Sequence, residues 1–94
     1  MMPFPDDYKE ALLSGSKNTT IRVGEEMGKY QVGEKYRAGS YTREDWGVEV
    51  LVEDTKTVNL EQLPEFGVPE KEIERVKSET DDEQAEVIKF EIKD

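Results

Sequence analysis

The segment 15–22 carries the side chains of this chain that are best suited to chemistry. It reads Gly-Ser-Lys-Asn-Thr-Thr-Ile-Arg. Lys17 could act as a base and the Thr20 hydroxyl as a nucleophile. A lysine whose pKa is lowered by burial or by a nearby cation such as Arg22 can take the place of a histidine as that base. Neighbouring backbone amides or the Asn18 side chain are candidate donors to an oxyanion.

The period-two pattern of this segment predicts which of its side chains converge. In an extended strand, Thr20 and Arg22 share one face and Ile21 lies on the opposite one, toward the core. We therefore expect the hydroxyl and the guanidinium to point together toward solvent or a cleft. Lys17 joins them only if the chain bends after Gly15. The alternative is an ordinary exposed strand edge whose cations discourage edge pairing, and spacing alone favours it.

The rest of the chain predicts short elements that position this segment. Period-two stretches indicate strands at 18–23, 35–41, 47–53 and 85–93, with 56–59 as a continuation or a fourth strand before the last one. Helical spacing and capping residues indicate helices at 7–14 and 69–79 and a helical turn at 60–65. The expected buried residues of these elements are Ile73, Val76, Ile88, Phe90 and Ile92. We expect one α+β domain over residues 1–94, mainly β, built as a small barrel with short flanking helices.

Composition limits the classes of function. The absence of Cys and His excludes thiolate nucleophiles, imidazole bases, disulfides and Cys/His zinc sites. The net charge of −10 disfavours a long phosphate backbone and suits one or two nucleotides better. We expect no metal and no cofactor, since the window 54–65 lacks the ligands of a calcium loop. Without a basic-then-apolar start or a bilayer-length apolar run, we expect a cytoplasmic monomer with no membrane contact.

Further candidates for ligand contact lie outside the segment. Tyr41 and Trp46 flank a predicted hairpin and could stack on a base. Packing of Trp46 over the barrel mouth is the alternative, and we favour it. Lys35 and Arg37, on the preceding strand, are candidate contacts to an anionic ligand.

The pattern Gly-x-Lys-x-x-Thr-x-Arg at 15–22 resembles the signature of the ASCH domain family, which is similar to the PUA superfamily of RNA-binding barrels. The segment 30–36, Tyr-Gln-Val-Gly-Glu-Lys-Tyr, resembles the family's aromatic-x-Val-Gly-acid stretch. Segments 57–63 and 86–93 resemble its strand-to-helix passage and its closing strand. The resemblance spans nearly the whole chain. It implies a small β-barrel with a cleft beside the signature strand, and we expect that cleft to bind RNA, a nucleoside or a nucleobase.

One branch of this family has a similar length and is an amidohydrolase that removes the acetyl group from N(4)-acetylcytidine. By position, the resemblance implies that Lys17 is its proton acceptor and Thr20 its nucleophile. Glu65 is the nearest candidate for the proton donor, with Glu61 as the fallback, because the segment after Leu63 is shorter here. Amide hydrolysis is therefore the alternative function. A protein-interaction module without a small-molecule site is a further alternative.

Overall fold

A computed structural model describes residues 1–93 of the chain. Over that range it contains five strands and two α-helices, which are β1 (Met2–Phe4), α1 (Lys9–Leu13), β2 (Thr19–Arg22), β3 (Lys35–Ser40), β4 (Asp45–Asn59), α2 (Glu70–Glu79) and β5 (Gln84–Lys93). Three 3-10 helices lie between them, at Asp6–Tyr8, Gly24–Glu26 and Leu60–Phe66. No helix in this range is long and apolar enough to cross a bilayer.

The five strands form one curled sheet in the order β1-β3-β4-β5-β2. The β1–β3 pair is parallel, and the other three pairs are antiparallel. The long strand β4 pairs with both β3 and β5, and its register against β5 shifts between Val52 and Asp54. An extra residue of this kind bends a strand and increases its twist. The sheet therefore curls into a half-barrel, and the expected mixed α+β, mainly β class is confirmed.

Each face of the sheet is covered by a separate apolar cluster. On the first, here called the core face, β5 contributes Ile88 and Phe90, which pack with Phe4 and Trp46 among other buried side chains. On the second, here called the helix face, the buried side chains of β2, β4 and β5 pack against α2 and the 3-10 helix before it. Burial of an aliphatic side chain contributes roughly 1.5–3 kcal/mol, so both clusters hold the sheet in place.

Most predicted elements are present, with two differences. The predicted strands 47–53 and 56–59 are one continuous strand, β4. The helix predicted at 7–14 is a 3-10 turn followed by α1. Predicted burial of Ile73, Val76, Ile88 and Phe90 is confirmed, whereas Ile92 is only half-buried.

Strand β1 was not predicted. Three residues are too few to show the alternation of buried and exposed side chains that identifies a strand. Pro3 at its centre also argues against a strand, because proline cannot donate a backbone hydrogen bond. The strand lies at the edge of the sheet, paired only with β3. A proline is tolerated at an edge because its missing N–H is not needed there.

Candidate functional site

The chain turns back sharply between α1 and β2, which places Lys17 beside α1. Gly15 has a φ of 81°, a left-handed conformation that glycine adopts at little cost. The backbone N–H of Gly15 donates to the Leu12 carbonyl at 3.1 Å, and that of Lys17 donates to the Ala11 carbonyl at 3.0 Å. The bend after Gly15, on which the predicted convergence of Lys17 with Thr20 and Arg22 depended, is therefore present.

Lys17 pairs with a carboxylate from α2. Its Nζ lies 3.4 Å from Oε2 of Glu72, and the two side chains are only 13% and 5% exposed. The same Nζ lies 4.4 Å from the centroid of the Tyr8 ring. On the other side of the carboxylate, a guanidinium nitrogen of Arg75 lies 3.7 Å from Oε1 of Glu72. One buried carboxylate is thus shared between two cations, with an aromatic ring beside them.

Burial changes the acid–base properties of this group. Desolvation lowers the pKa of Lys17, and although Glu72 opposes that change, Arg75 and Arg22 add to it. Burial and the charge of Glu72 raise the pKa of the Tyr8 phenol. Lys17 therefore gives up its proton more readily than a solvated lysine, whereas Tyr8 keeps its proton and can act as a donor.

Lys17 and Glu72 line a cleft of about 390 Å³ between α1, β2 and the start of α2. Its apolar lining consists of side chains from Ala11, Ile21, Phe66, Val68 and Pro69. This volume is within the usual range for small-molecule sites, about 300–1,000 Å³. Apolar walls with a few converging polar groups are typical of such sites.

The prediction that Thr20 and Arg22 point toward solvent or the cleft is wrong. Both lie on the core face, where Thr20 is 3% and Arg22 is 4% exposed. Thr20 is paired with Ile88 across the sheet, and neither residue lines the cleft. Period-two spacing correctly separates their face from that of Ile21. It does not reveal that both faces of the strand are covered, one by the core-face cluster of the half-barrel and the other by the cluster that includes α2.

Lys17 lines the cleft with Thr19 and Ile21, the residues of β2 that lie on the helix face, whereas Thr20 does not line it. Arg22 remains close enough for its charge to lower the pKa of Lys17. The predicted convergence of Lys17, Thr20 and Arg22 on one cleft is therefore not found among the residues that line it.

The carboxylate paired with Lys17 is not the one that the sequence suggested. Glu65 and Glu61 are exposed on the 3-10 helix Leu60–Phe66 and do not line the cleft. Glu72 was missed because an acidic residue in the first turn of a helix is explained by the helix dipole alone. A signal was present nonetheless, since Glu72 lies four residues before the buried Val76 and so shares its helical stripe.

The remaining candidates have separate locations. Asn18 is exposed and lines the cleft, as expected. Trp46 is 7% exposed and stacks on Phe4 with ring centroids 6.0 Å apart. Packing of Trp46 is therefore confirmed, and its ring is not free to stack on a base.

Three candidates from β3 and the following turn lie outside the cleft. Arg37 forms a two-pronged ion pair with Asp45 at 3.0–3.2 Å on the surface. Lys35 is exposed at the start of β3. Tyr41 is 56% exposed. None of the three lines the cleft, so the cleft does not depend on them.

Comparison of the chain with protein-family models, with curated proteins and with solved structures finds no match. The resemblance to the ASCH family therefore stays a prediction. Across residues 1–93, no three His, Cys, Asp or Glu side chains are grouped so that they could hold a metal ion. The chemistry available in the cleft is that of the buried Lys17–Glu72 pair and the Tyr8 phenol, with the Asn18 amide, the Ser16 and Thr19 hydroxyls, the exposed Lys71 ammonium and apolar side chains around them.

Proposed function

We propose that the cleft binds a single nucleoside through the edge of its base, with Lys17 as hydrogen-bond donor and Glu72 as acceptor. The observation that carries this proposal is the pairing of their side chains at 3.4 Å on the cleft wall, with little exposure of either. A base edge presents acceptor and donor atoms next to each other. A fixed donor and acceptor side by side are complementary to such an edge, and charged partners strengthen both bonds.

A second observation supports a ligand that donates to Glu72. Its Oε1 is buried and has no hydrogen-bond partner within residues 1–93. The nearest guanidinium nitrogen of Arg75, at 3.7 Å, is beyond hydrogen-bond distance. A buried carboxylate oxygen without a donor is costly, on the order of 1–3 kcal/mol or more. An amino or ring N–H group of a base would satisfy it.

The walls and the charge of the chain support a ligand of this size. Ile21 and Phe66 both contribute apolar surface to the cleft, against which a flat ring could pack. The net charge of −10 opposes long nucleic acids more than it opposes one nucleoside. The ASCH-like pattern of residues 15–22 borders the same cleft, which supports this function.

Hydrolysis of an acetylated base is a second candidate, favoured by the lowered pKa of Lys17 beside a carboxylate. Water would attack the acetyl carbonyl of N(4)-acetylcytidine while the neutral amine of Lys17 accepts its proton. The ammonium of Lys17 would then give that proton to the N(4) nitrogen as the C–N bond breaks, so that cytidine leaves with a neutral amino group, and the acetic acid formed would lose its proton to solvent as acetate. The nucleophile in this version is water, because Thr20 lies on the core face.

Calorimetric titration with the four ribonucleosides and N(4)-acetylcytidine tests the binding proposal. We expect a dissociation constant below about 1 mM for at least one of them. Lys17→Met and Glu72→Gln should each weaken it by about tenfold or more, because each removes one charged hydrogen bond. The matched controls Lys77→Met and Glu74→Gln change exposed residues of α2 and should leave binding unchanged.

Two results would overturn the proposal: no binding of any nucleoside by the folded wild type, or binding that neither cleft variant weakens. In the first case, the protein-interaction alternative becomes the leading hypothesis. Acetate release from N(4)-acetylcytidine, followed by NMR, separates hydrolysis from binding alone. Release that is lost in Lys17→Met supports the enzyme, and binding without release supports the binding protein.

A further inference from the structure

We propose that the nucleoside in the cleft carries a phosphate group, which Lys56 and Lys89 bind in a groove that adjoins the cleft. This inference rests on the proposed function. The groove has a volume of about 190 Å³ and follows the helix face of the sheet. Thr19 and Phe66 line both the groove and the cleft. The groove and the cleft are therefore neighbours, and a ligand that reaches past the Thr19 and Phe66 side chains could occupy both.

The register of the sheet places the two lysines next to the cleft. Thr19 of β2 is directly opposite Lys89 of β5, so Lys89 is one strand away from the cleft floor. Lys56 of β4 is opposite Val87, which makes it the diagonal neighbour of Lys89 on the same face. Diagonal neighbours are about 7–8 Å apart, a spacing that two long side chains can span to reach a common anion.

The Lys56 side chain also contacts Phe66, a residue that lines both the groove and the cleft. Its Nζ lies 5.2 Å from the centroid of the Phe66 ring, and Phe66 lines both sites. Contact with an aromatic face holds an ammonium in place without neutralising it. The charge of Lys56 is therefore available at the junction of groove and cleft.

The charges around these lysines leave the groove locally positive. Seven of the 13 basic side chains pair with a carboxylate within residues 1–93, and neither Lys56 nor Lys89 is among them. Asp54 lines the same groove and is opposite Lys89, so two ammonium groups face one carboxylate there. On a chain with a net charge of −10, a locally positive groove that continues a ligand cleft suits an anionic part of the same ligand.

Titration of the four ribonucleosides against their 5′- and 3′-monophosphates tests this inference. At about 50 mM salt we expect one monophosphate to bind about tenfold tighter than its nucleoside, and the gain to shrink at about 300 mM salt. In the double variant Lys56→Gln/Lys89→Gln the gain should disappear while nucleoside affinity is unchanged. The control Lys35→Gln/Lys77→Gln removes two exposed lysines elsewhere and should keep the gain. Thermal unfolding verifies that the variants fold.

The outcomes separate this inference from the function on which it rests. Equal affinity of the wild type for nucleoside and monophosphate, or a gain that survives in the Lys56/Lys89 variant, overturns the phosphate site and leaves the nucleoside cleft intact. Failure of all nucleosides and nucleotides to bind overturns both. A dinucleoside monophosphate identifies the source of the phosphate, since binding tighter than that of the monophosphate points to RNA and weaker binding points to a free nucleotide.

Discussion

Arg22 on β2 donates a hydrogen bond of 2.8 Å to the carbonyl oxygen of Pro3 on β1, and so joins the two edge strands of the sheet. Its guanidinium is also 5.3 Å from the centroids of the Phe4 and Tyr30 rings. The sheet order leaves β1 and β2 at opposite ends, without a backbone ladder between them. A buried side chain therefore makes a connection across the open side of the half-barrel.

We predict from this contact that Arg22→Met lowers the free energy of unfolding by about 2–4 kcal/mol, because the Pro3 carbonyl loses a charged donor. Arg22→Lys should recover only part of the loss, since an ammonium cannot reproduce the planar guanidinium between two rings. Urea unfolding measures both effects, with the exposed Lys77→Met as control. Unchanged stability of Arg22→Met together with lost nucleoside affinity would instead make Arg22 a ligand contact.

The two aromatic residues around the β3–β4 turn should respond differently to truncation. Trp46 is 7% exposed and Tyr41 is 56% exposed. We expect Trp46→Ala to cost about 3–5 kcal/mol of stability, because it leaves a cavity beside Phe4. Tyr41→Ala should cost less than about 0.5 kcal/mol. Denaturant unfolding, followed by circular dichroism, compares them, and equal costs would contradict the burial of Trp46.

Much of the fold follows from the period of apolar residues. Alternation in β5 identifies Ile88 and Phe90 as buried, and helical spacing in α2 identifies Ile73 and Val76. These predictions succeed because a sheet and a helix each bury one face or stripe in a regular pattern. Strand β1 was not predicted because its formation depends on long-range pairing with β3, and such pairing leaves no local sequence pattern.

The site was predicted only in part, for a related reason. Lys17 and Asn18 were candidates from the local sequence and line the cleft, and the bend after Gly15, which the predicted site required, is present. Alternation also shows that Thr20 and Ile21 lie on opposite faces. It does not show what covers each face, so Thr20 was assigned to solvent although it is buried. Glu72 meets Lys17 only through packing of α2 on the sheet, a contact between residues distant in sequence.

Arg43 is in an unfavourable backbone conformation, and replacing it should stabilise the protein. Its φ is 71°, in the turn where its N–H donates to the Ser40 carbonyl at 2.9 Å. Left-handed backbone costs roughly 1–2 kcal/mol for a residue with a side chain. After the entropy of a freer unfolded chain is subtracted, we expect Arg43→Gly to raise stability by about 0.5–1 kcal/mol.

The matched variant Arg43→Ala separates the backbone effect from loss of the side chain. It removes the guanidinium but keeps a Cβ, so its stability should stay within about 0.5 kcal/mol of the wild type. Thermal and urea unfolding of the two variants provide the comparison. A larger stabilisation by alanine than by glycine would show that the charge, and not the left-handed conformation, is unfavourable at this turn.

The burial of Lys17 should make the stability of the protein depend on pH above neutrality. Desolvation lowers the pKa of Lys17 in the folded state below its ordinary value of 10.5, which the unfolded chain keeps. Between these two pKa values the unfolded state binds more protons. The free energy of unfolding contributed by Lys17 therefore increases as pH rises through that interval.

Comparison of the wild type with Lys17→Met isolates this contribution from other titrating groups. We expect the stability of the wild type relative to the variant to rise over a pH range that ends near 10.5, measured by urea unfolding at each pH. Lys77→Met, which removes an exposed lysine of α2, should show a much smaller dependence. If the stability of the wild type relative to Lys17→Met falls over this range, the pairing with Glu72 outweighs desolvation and the pKa of Lys17 is raised instead.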